Sequence, residues 1–169
     1  MRSILKVNWD SNVPIYAISQ SELKKKGIHS LLLDVDGTLV NRKSNMIPKA
    51  VKNWIIDSKK LFSLYLISNN PSKKRIAKLA KELNLRYKYN ASKPRKKVTL
   101  SAIKEIGINP ENIAIIGDRI FTDIIVGNRC NIKTILVKRL NRDGLPIKFN
   151  LTLTIEKLIS HFIKWKLGL

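Results

Sequence analysis

Seven aspartates occur in this 169-residue chain, and four of them fall where two apolar runs end: Asp34 and Asp36 after Leu31-Leu32-Leu33, and Asp118 and Asp123 beyond Ile113-Ala114-Ile115-Ile116. Carboxylates gathered in one place repel one another unless a cation sits among them, and hard Mg²⁺ takes carboxylate oxygens readily. The grouping stands out because the chain is otherwise basic, with 33 Lys+Arg against 12 Asp+Glu and a formal net charge of +21. Metal-assisted chemistry on an anionic substrate is the economical explanation. The competing explanation for Asp34 and Asp36 is turn capping after a strand, a common use of short polar side chains.

The elements that must position these residues alternate. Ser19-Gln20-Ser21-Glu22 has capping-box form and Gly27 is a natural stop, so a short helix precedes the first strand. That strand, 30–35, is apolar without alternation, which suits a parallel strand covered on both faces. Pro48 opens a helix carrying Val51, Trp54 and Ile55, and 61–67 reads as a second buried strand. Ile76, Leu79, Ala80 and Leu83 form a helical stripe, 86–90 a short strand, and Val98, Ala102, Ile103 and Ile106 another stripe closed by Gly107. Strands over 113–116 and 132–137 follow. Such an α/β chain predicts a mainly parallel sheet with right-handed crossovers, and a ligand site beyond the carboxyl ends of the strands. Nothing marks a domain boundary, so 1–169 reads as one domain, with an N-terminal helical extension over about 1–28 and a C-terminal amphipathic helix over about 152–166.

At 44% hydrophobic and 27% charged, the composition suits a chain with a real core. The single cysteine, Cys130, has no partner for an internal disulfide and no Cys/His neighbourhood for zinc. The start lacks the apolar region of a secretory signal, and no apolar stretch reaches the roughly 18–20 residues that cross a bilayer. The expected location is cytoplasmic, with peripheral membrane attachment as an option. His29 and His161 lack ligand partners nearby, and Trp9, Trp54, Phe62 and Tyr65 read as packing residues. Arg119 either meets a second anionic group on the substrate or faces solvent.

The run Leu31 to Val40, reading Leu-Leu-Leu-Asp-Val-Asp-Gly-Thr-Leu-Val, resembles the first motif of the haloacid dehalogenase (HAD) superfamily. The family's other motifs follow in order: Ser68 in Leu66-Ile67-Ser68-Asn69-Asn70, Lys93 in Ala91-Ser92-Lys93-Pro94, and Gly117-Asp118-Arg119-Ile120-Phe121-Thr122-Asp123. With Gly127-Asn128-Arg129 downstream, the set is similar to the YqeG-type phosphatases, a group with relatives acting on phosphatidylglycerophosphate. The likeness runs from about Ile18 to Val137. Gly37 stands where many members of that group carry Asn.

The resemblance implies a Rossmann-like three-layer α/β/α sandwich and a Mg²⁺-dependent phosphomonoester hydrolase. It makes Asp34 the nucleophile, giving an aspartyl-phosphate, and Asp36 the acid and base that serves leaving group and water. It assigns Mg²⁺ to the Asp34 carboxylate, the Asp36 main-chain carbonyl and Asp118. Thr38, Ser68, Asn69 and Lys93 would bind the transferring phosphate, and Asp123 would position Lys93 or a metal water. Asp123 also reads as an acid placed for a helix dipole, and Ser68 as a turn hydroxyl.

Many HAD enzymes of small metabolites carry an inserted cap. Neither Val40 to Ser68 nor Ser68 to Lys93 has room for one. An open, basic-rimmed site suits a phosphate protruding from something large: an anionic lipid headgroup, and hence phospholipid biosynthesis, with nucleic-acid ends or phosphoproteins as alternatives. Oligomerisation could supply a lid. A further alternative is a weakly catalytic module binding RNA or membrane. Ile155, Leu158, Ile159, Phe162 and Ile163 follow helical spacing, and either pack on the sheet or lie in a membrane interface.

Overall fold

In the computed structural model, which describes residues 4–167, six strands form one sheet. They are β1 (Trp9–Asp10), β2 (Ser30–Leu33), β3 (Ser63–Ile67), β4 (Arg86–Lys88), β5 (Ile113–Gly117) and β6 (Lys133–Leu136), in spatial order β1-β6-β5-β2-β3-β4. Every pairing is parallel. The helices are α1 (Gln20–Lys25), α2 (Lys49–Lys59), α3 (Lys73–Leu83), α4 (Lys97–Ile106), α5 (Ile125–Arg129) and α6 (Leu151–Leu167).

The unbroken apolar runs are explained by burial on both faces. Leu31, Leu33, Leu64, Leu66, Ala114 and Ile116 point to one side, where they pack with Val51, Trp54 and Ile55 of α2 and Ile76, Leu79 and Leu83 of α3. Their neighbours Leu32, Tyr65, Ile67, Ile113 and Ile115 point to the other, against Ala102 and Ile103 of α4 and Val126 of α5. The period of two along each strand thus separates two cores, and the architecture is the expected three-layer α/β/α sandwich.

The chain leaves β2 toward β3 and β4 on one side, then returns to β5 and moves outward to β6 on the other. Between β2 and β5 the winding direction reverses, which opens a crevice at their carboxyl ends. The register aligns Leu33 with Ile116, and Asp34 N–H donates to the Ile116 carbonyl at 2.9 Å. Asp34 and Asp118, each just past its strand, are therefore set side by side.

The N-terminal extension is helical only in part. Trp9 and Asp10 add an edge strand to β6, and Ser11 and Asn8 hydrogen-bond with Leu136 and Thr134. A two-residue strand has too little periodicity to be seen in sequence. No cap is inserted: residues 34–48 join β2 to α2 and five residues join β3 to α3.

Candidate active site

Lys93 is the electrostatic hub of the crevice. It is buried, and its ammonium donates to Asp34 Oδ1 at 2.7 Å, Asp123 Oδ1 at 2.6 Å and the Ile67 carbonyl at 3.1 Å. Burial alone would lower its pKa, but the Asp123 and Asp34 carboxylates outweigh that and hold it above its ordinary value, as a cation. Asp123 is fixed further by the Arg119 N–H and the Thr122 hydroxyl, at 3.3 and 3.2 Å. Gly117 permits this approach, since a β-carbon there would overlap the Asp123 carboxylate.

Asp34 has its pKa raised to about 6, first by burial and against the pull of Lys93, with the Asp123 charge adding to the rise. Asp118 is 1% exposed and is raised well above the usual carboxylate range by burial and by the charges of Asp34 and Asp123. Its Oδ2 lies 3.2 Å from Arg139 Nε, while Oδ1 is buried with no hydrogen-bond partner. Such an orphaned buried oxygen calls for a ligand. One carboxylate oxygen from each of Asp34, Asp118 and Asp123 lies within 4.8 Å of the others. These residues fit a divalent cation: Asp34 and Asp118 each have an oxygen without a hydrogen-bond partner, and burial, reinforced by the neighbouring carboxylate charges, disfavours their ionised forms in a way that a bound cation would offset. Asp123 belongs to the same cluster but is committed to Lys93. Gly37, at φ +100°, lets the loop after β2 approach, for a β-carbon there would lie 2.6 Å from Asp118 Oδ2.

Asp36 stands across the crevice with both oxygens engaged, Oδ1 by Arg75 at 2.7 Å and Oδ2 by Asn70 Nδ2 at 3.0 Å. Arg75 is delivered by α3: Ser72 caps that helix by accepting the Arg75 N–H, and the Arg75 guanidinium also donates to the Ser44 carbonyl and Asn45. The open cleft between these groups is about 270 Å³ and is lined by Asp34, Asp36, Ser68, Asn69, Lys93, Asp118, Asp123 and the arginines Arg42, Arg119 and Arg139.

Most residues expected at a site from sequence meet here. Asn69 lines the cleft, and its side chain accepts the Lys93 N–H at 2.7 Å and donates to the Lys93 carbonyl at 2.9 Å, which holds the lysine loop. Thr38 is fully buried, with its hydroxyl close enough to Asp34 to favour that carboxylate's charged form. Ser68 is buried at the cleft wall, its Oγ accepting the Asn70 N–H at 3.1 Å. Arg119 does not face solvent freely: its guanidinium is bound to Glu156 of α6 while it lines the cleft. Arg42, Arg75 and Arg139 carried no motif signal, and Asn70 lay in the second motif without an assigned role; for Arg75, the Ser72 cap one turn earlier was the available clue.

A family model described as HAD-hydrolase-like matches residues 90–143, the stretch from the Lys93 loop through Asp118 and Asp123 to Arg139. Over 154 residues, 90% of this chain and 88% of the relative, the sequence is 29% identical to the Bacillus subtilis protein named "Probable phosphatase YqeG". Over residues 90–143 the chain is thus similar to the HAD-like hydrolases. A shorter stretch of 44 residues, 26% of the chain and 14% of the relative, is 46% identical to the glycerol-3-phosphate phosphatase of Rattus norvegicus. The fold recurs in a Listeria monocytogenes protein of solved structure, with a TM-score of 0.55 at 18% identity, covering 75% of this chain and 86% of that one. It also recurs in the magnesium-bound HAD-hydrolase YfnB of Bacillus subtilis, with a TM-score of 0.53 at 14% identity and coverage of 71% and 90%.

Proposed function

We propose that the protein is a HAD-type phosphatase that is Mg²⁺-dependent, works through an aspartyl-phosphate, and takes phosphatidylglycerophosphate as its substrate. The observation that carries the metal and the nucleophile is the buried Asp34–Asp118 pair, one cation short of neutrality, with Asp118 Oδ1 unpartnered. Asp34, Asp118 and the Asp36 main-chain carbonyl would hold the ion, which supplies charge neutralisation between carboxylate and phosphate.

Lys93 donates to Asp34 Oδ1 at 2.7 Å and fixes the carboxylate in the cleft, so that one of its oxygens attacks phosphorus while the other would hold the ion. The phosphorus–ester oxygen bond breaks, its electron pair leaves on the alkoxide, and Asp36 delivers a proton to that oxygen. Asp36 then takes a proton from water as the water attacks the phosphorus of the aspartyl-phosphate, and the bond to Asp34 breaks to release inorganic phosphate. Lys93 and Ser68 face the equatorial oxygens from the cleft wall, where a fixed ammonium is worth most because little reorganisation is required.

Three features support a large anionic lipid substrate. Among the described residues no cap stands over the cleft, so a headgroup can reach it without the rest of the molecule entering. Arg42, Arg119 and Arg139 rim it, offering contacts to a second phosphate. The curated relatives include a glycerol-3-phosphate phosphatase, and phosphatidylglycerophosphate ends in a glycerol phosphate monoester.

The test is phosphate release from phosphatidylglycerophosphate in mixed micelles, glycerol 3-phosphate, an aryl phosphate and 5′- or 3′-phosphorylated oligonucleotides, with Mg²⁺ and with excess chelator. The expected result is metal-dependent turnover with the lipid preferred. Undiminished aryl phosphate hydrolysis in chelator would remove the metal, and preference for an oligonucleotide would replace the lipid.

A further inference from the structure

Among its described residues, helix α6 turns Leu153, Glu156, Ser160 and Ile163 toward the domain, a stripe at i, i+3, i+7 and i+10 with two polar members at its centre. Glu156 anchors it: one carboxylate oxygen accepts the Ile120 N–H at 2.7 Å and the other the Arg119 guanidinium at 2.9 and 3.1 Å. Leu153 and Ile163 flank this contact by packing on the small cluster of Leu5, Ile120, Ile124 and Leu136.

The opposite side of the helix carries Leu151, Ile155, Leu158, Phe162 and Trp165, at i, i+4, i+7, i+11 and i+14, with Ile159 beside them. These are the residues left in solvent, with Leu158 66%, Phe162 58% and Trp165 75% exposed. Phe162 and Trp165 touch only sideways, ring centroids 5.9 Å apart. Phe149 and Leu145, also exposed, lie in the loop that leads into the helix. A surface helix ordinarily buries its most apolar stripe. This one displays a row about 21 Å long at 1.5 Å per residue. Continuous exposed apolar surface of that extent marks an interaction site.

Charge decides the occupant. A second copy would bring one +21 surface against another. Nucleic acid would satisfy the charge and leave the apolar row in water. An anionic bilayer accepts both, the row at the boundary of headgroups and acyl chains and the basic residues among the headgroups. Between 142 and 166 the sequence has five Lys or Arg against Asp143 and Glu156; Glu156 is buried and Lys157 is paired with Asp10, which leaves a net positive charge beside the row. Arg119 joins this helix to the cleft, since it is held by Glu156 and lines the active site.

We propose that the outer face of α6, from Leu151 to Trp165, docks the protein on anionic lipid bilayers by inserting its apolar row. This deepens the lipid-substrate reading by naming the surface that holds the enzyme where such a substrate lies, and it rests on binding rather than turnover. The experiment is flotation of the full chain with vesicles of phosphatidylcholine alone or mixed with phosphatidylglycerol, at low and high salt. It compares wild type with the double variant L158E/F162E, and thermal unfolding and aryl phosphate hydrolysis are measured in parallel. Both substituted positions are exposed and lie outside the cleft, so stability and hydrolysis should match wild type. Wild type should bind the mixed vesicles with a component that survives high salt, because apolar insertion is not screened, and the double variant should lose at least about tenfold in partitioning. Vesicle binding that salt abolishes completely, or that the double variant retains, overturns docking. A lipid-free dimer that L158E/F162E dissolves assigns the face to a second copy and overturns it too. Docking without phosphatidylglycerophosphate turnover would instead leave this proposal standing and remove the substrate.

Discussion

Replacing Asp34 by Asn should stabilise the metal-free protein at neutral pH while destroying its activity. Burial lifts the Asp34 pKa from an ordinary 3.8 to about 6 despite the Lys93 contact. A carboxyl with a raised native pKa is most favourable to folding below its unfolded pKa, where it is neutral in both states. Stability then falls as pH rises from about 3.8 to about 6, and the full cost persists above that. A shift of roughly two units at about 1.36 kcal/mol each puts this cost near 3 kcal/mol, which for a chain of this size is on the order of 6–12 °C in Tm. Asn mimics the neutral carboxyl, still offers an oxygen to Lys93, and leaves that lysine its contacts with Asp123 and Ile67. Wild type and Asp34→Asn should therefore unfold alike near pH 4 in chelator and diverge through pH 6, with the variant the more stable. Added Mg²⁺ should narrow the gap by stabilising wild type. The measurement is thermal unfolding by circular dichroism across that pH range. A variant that is less stable at neutral pH by an amount that does not change with pH would refute the reasoning and make the Lys93–Asp34 pair a net stabiliser.

Asp36→Asn should still accumulate phosphorylated enzyme from a good leaving group, but hydrolyse it about 10²–10⁴ times more slowly, as trapping of labelled protein would measure. Arg75 positions Asp36, so Arg75→Ala should lower kcat about tenfold with KM little changed and shift the pH profile, and Arg75→Lys should recover part of the loss. A rise in KM alone would assign Arg75 to the substrate instead. Cys130 is 5% exposed, and burial pushes its thiol up to about 11. Native protein near pH 8 should accordingly resist alkylation and become reactive only as it unfolds, which mass spectrometry of iodoacetamide-treated samples would follow.

Local pattern determined a large part of this protein. Unbroken apolar runs ending in aspartate specified parallel strands and the carboxyl-end location of the site, because a strand covered on both faces has no polar position until it leaves the sheet. The Ser19 and Ser72 caps and the Gly107 stop set helix ends by short-range hydrogen bonding and left-handed backbone, which sequence carries directly. The spacing from Asp34 to Lys93 already excluded an inserted cap.

Tertiary structure decided what depends on groups distant in sequence. Only the β2–β5 register sets Asp34 beside Asp118, and only folding shows that Lys93 is shared between Asp34 and Asp123 across separations of 59 and 30 residues. Asn69 is spent on the Lys93 backbone and Asp36 is held by Arg75, contacts that no motif encodes because their partners sit on different elements. The same holds for α6. Its periodicity shows two faces, but which one is buried is settled by long-range contacts, those of Glu156 and the packing of Leu153 and Ile163. Glu156 finds the unpaired Ile120 N–H and the Arg119 guanidinium, and burying that carboxylate inward leaves the apolar row facing out.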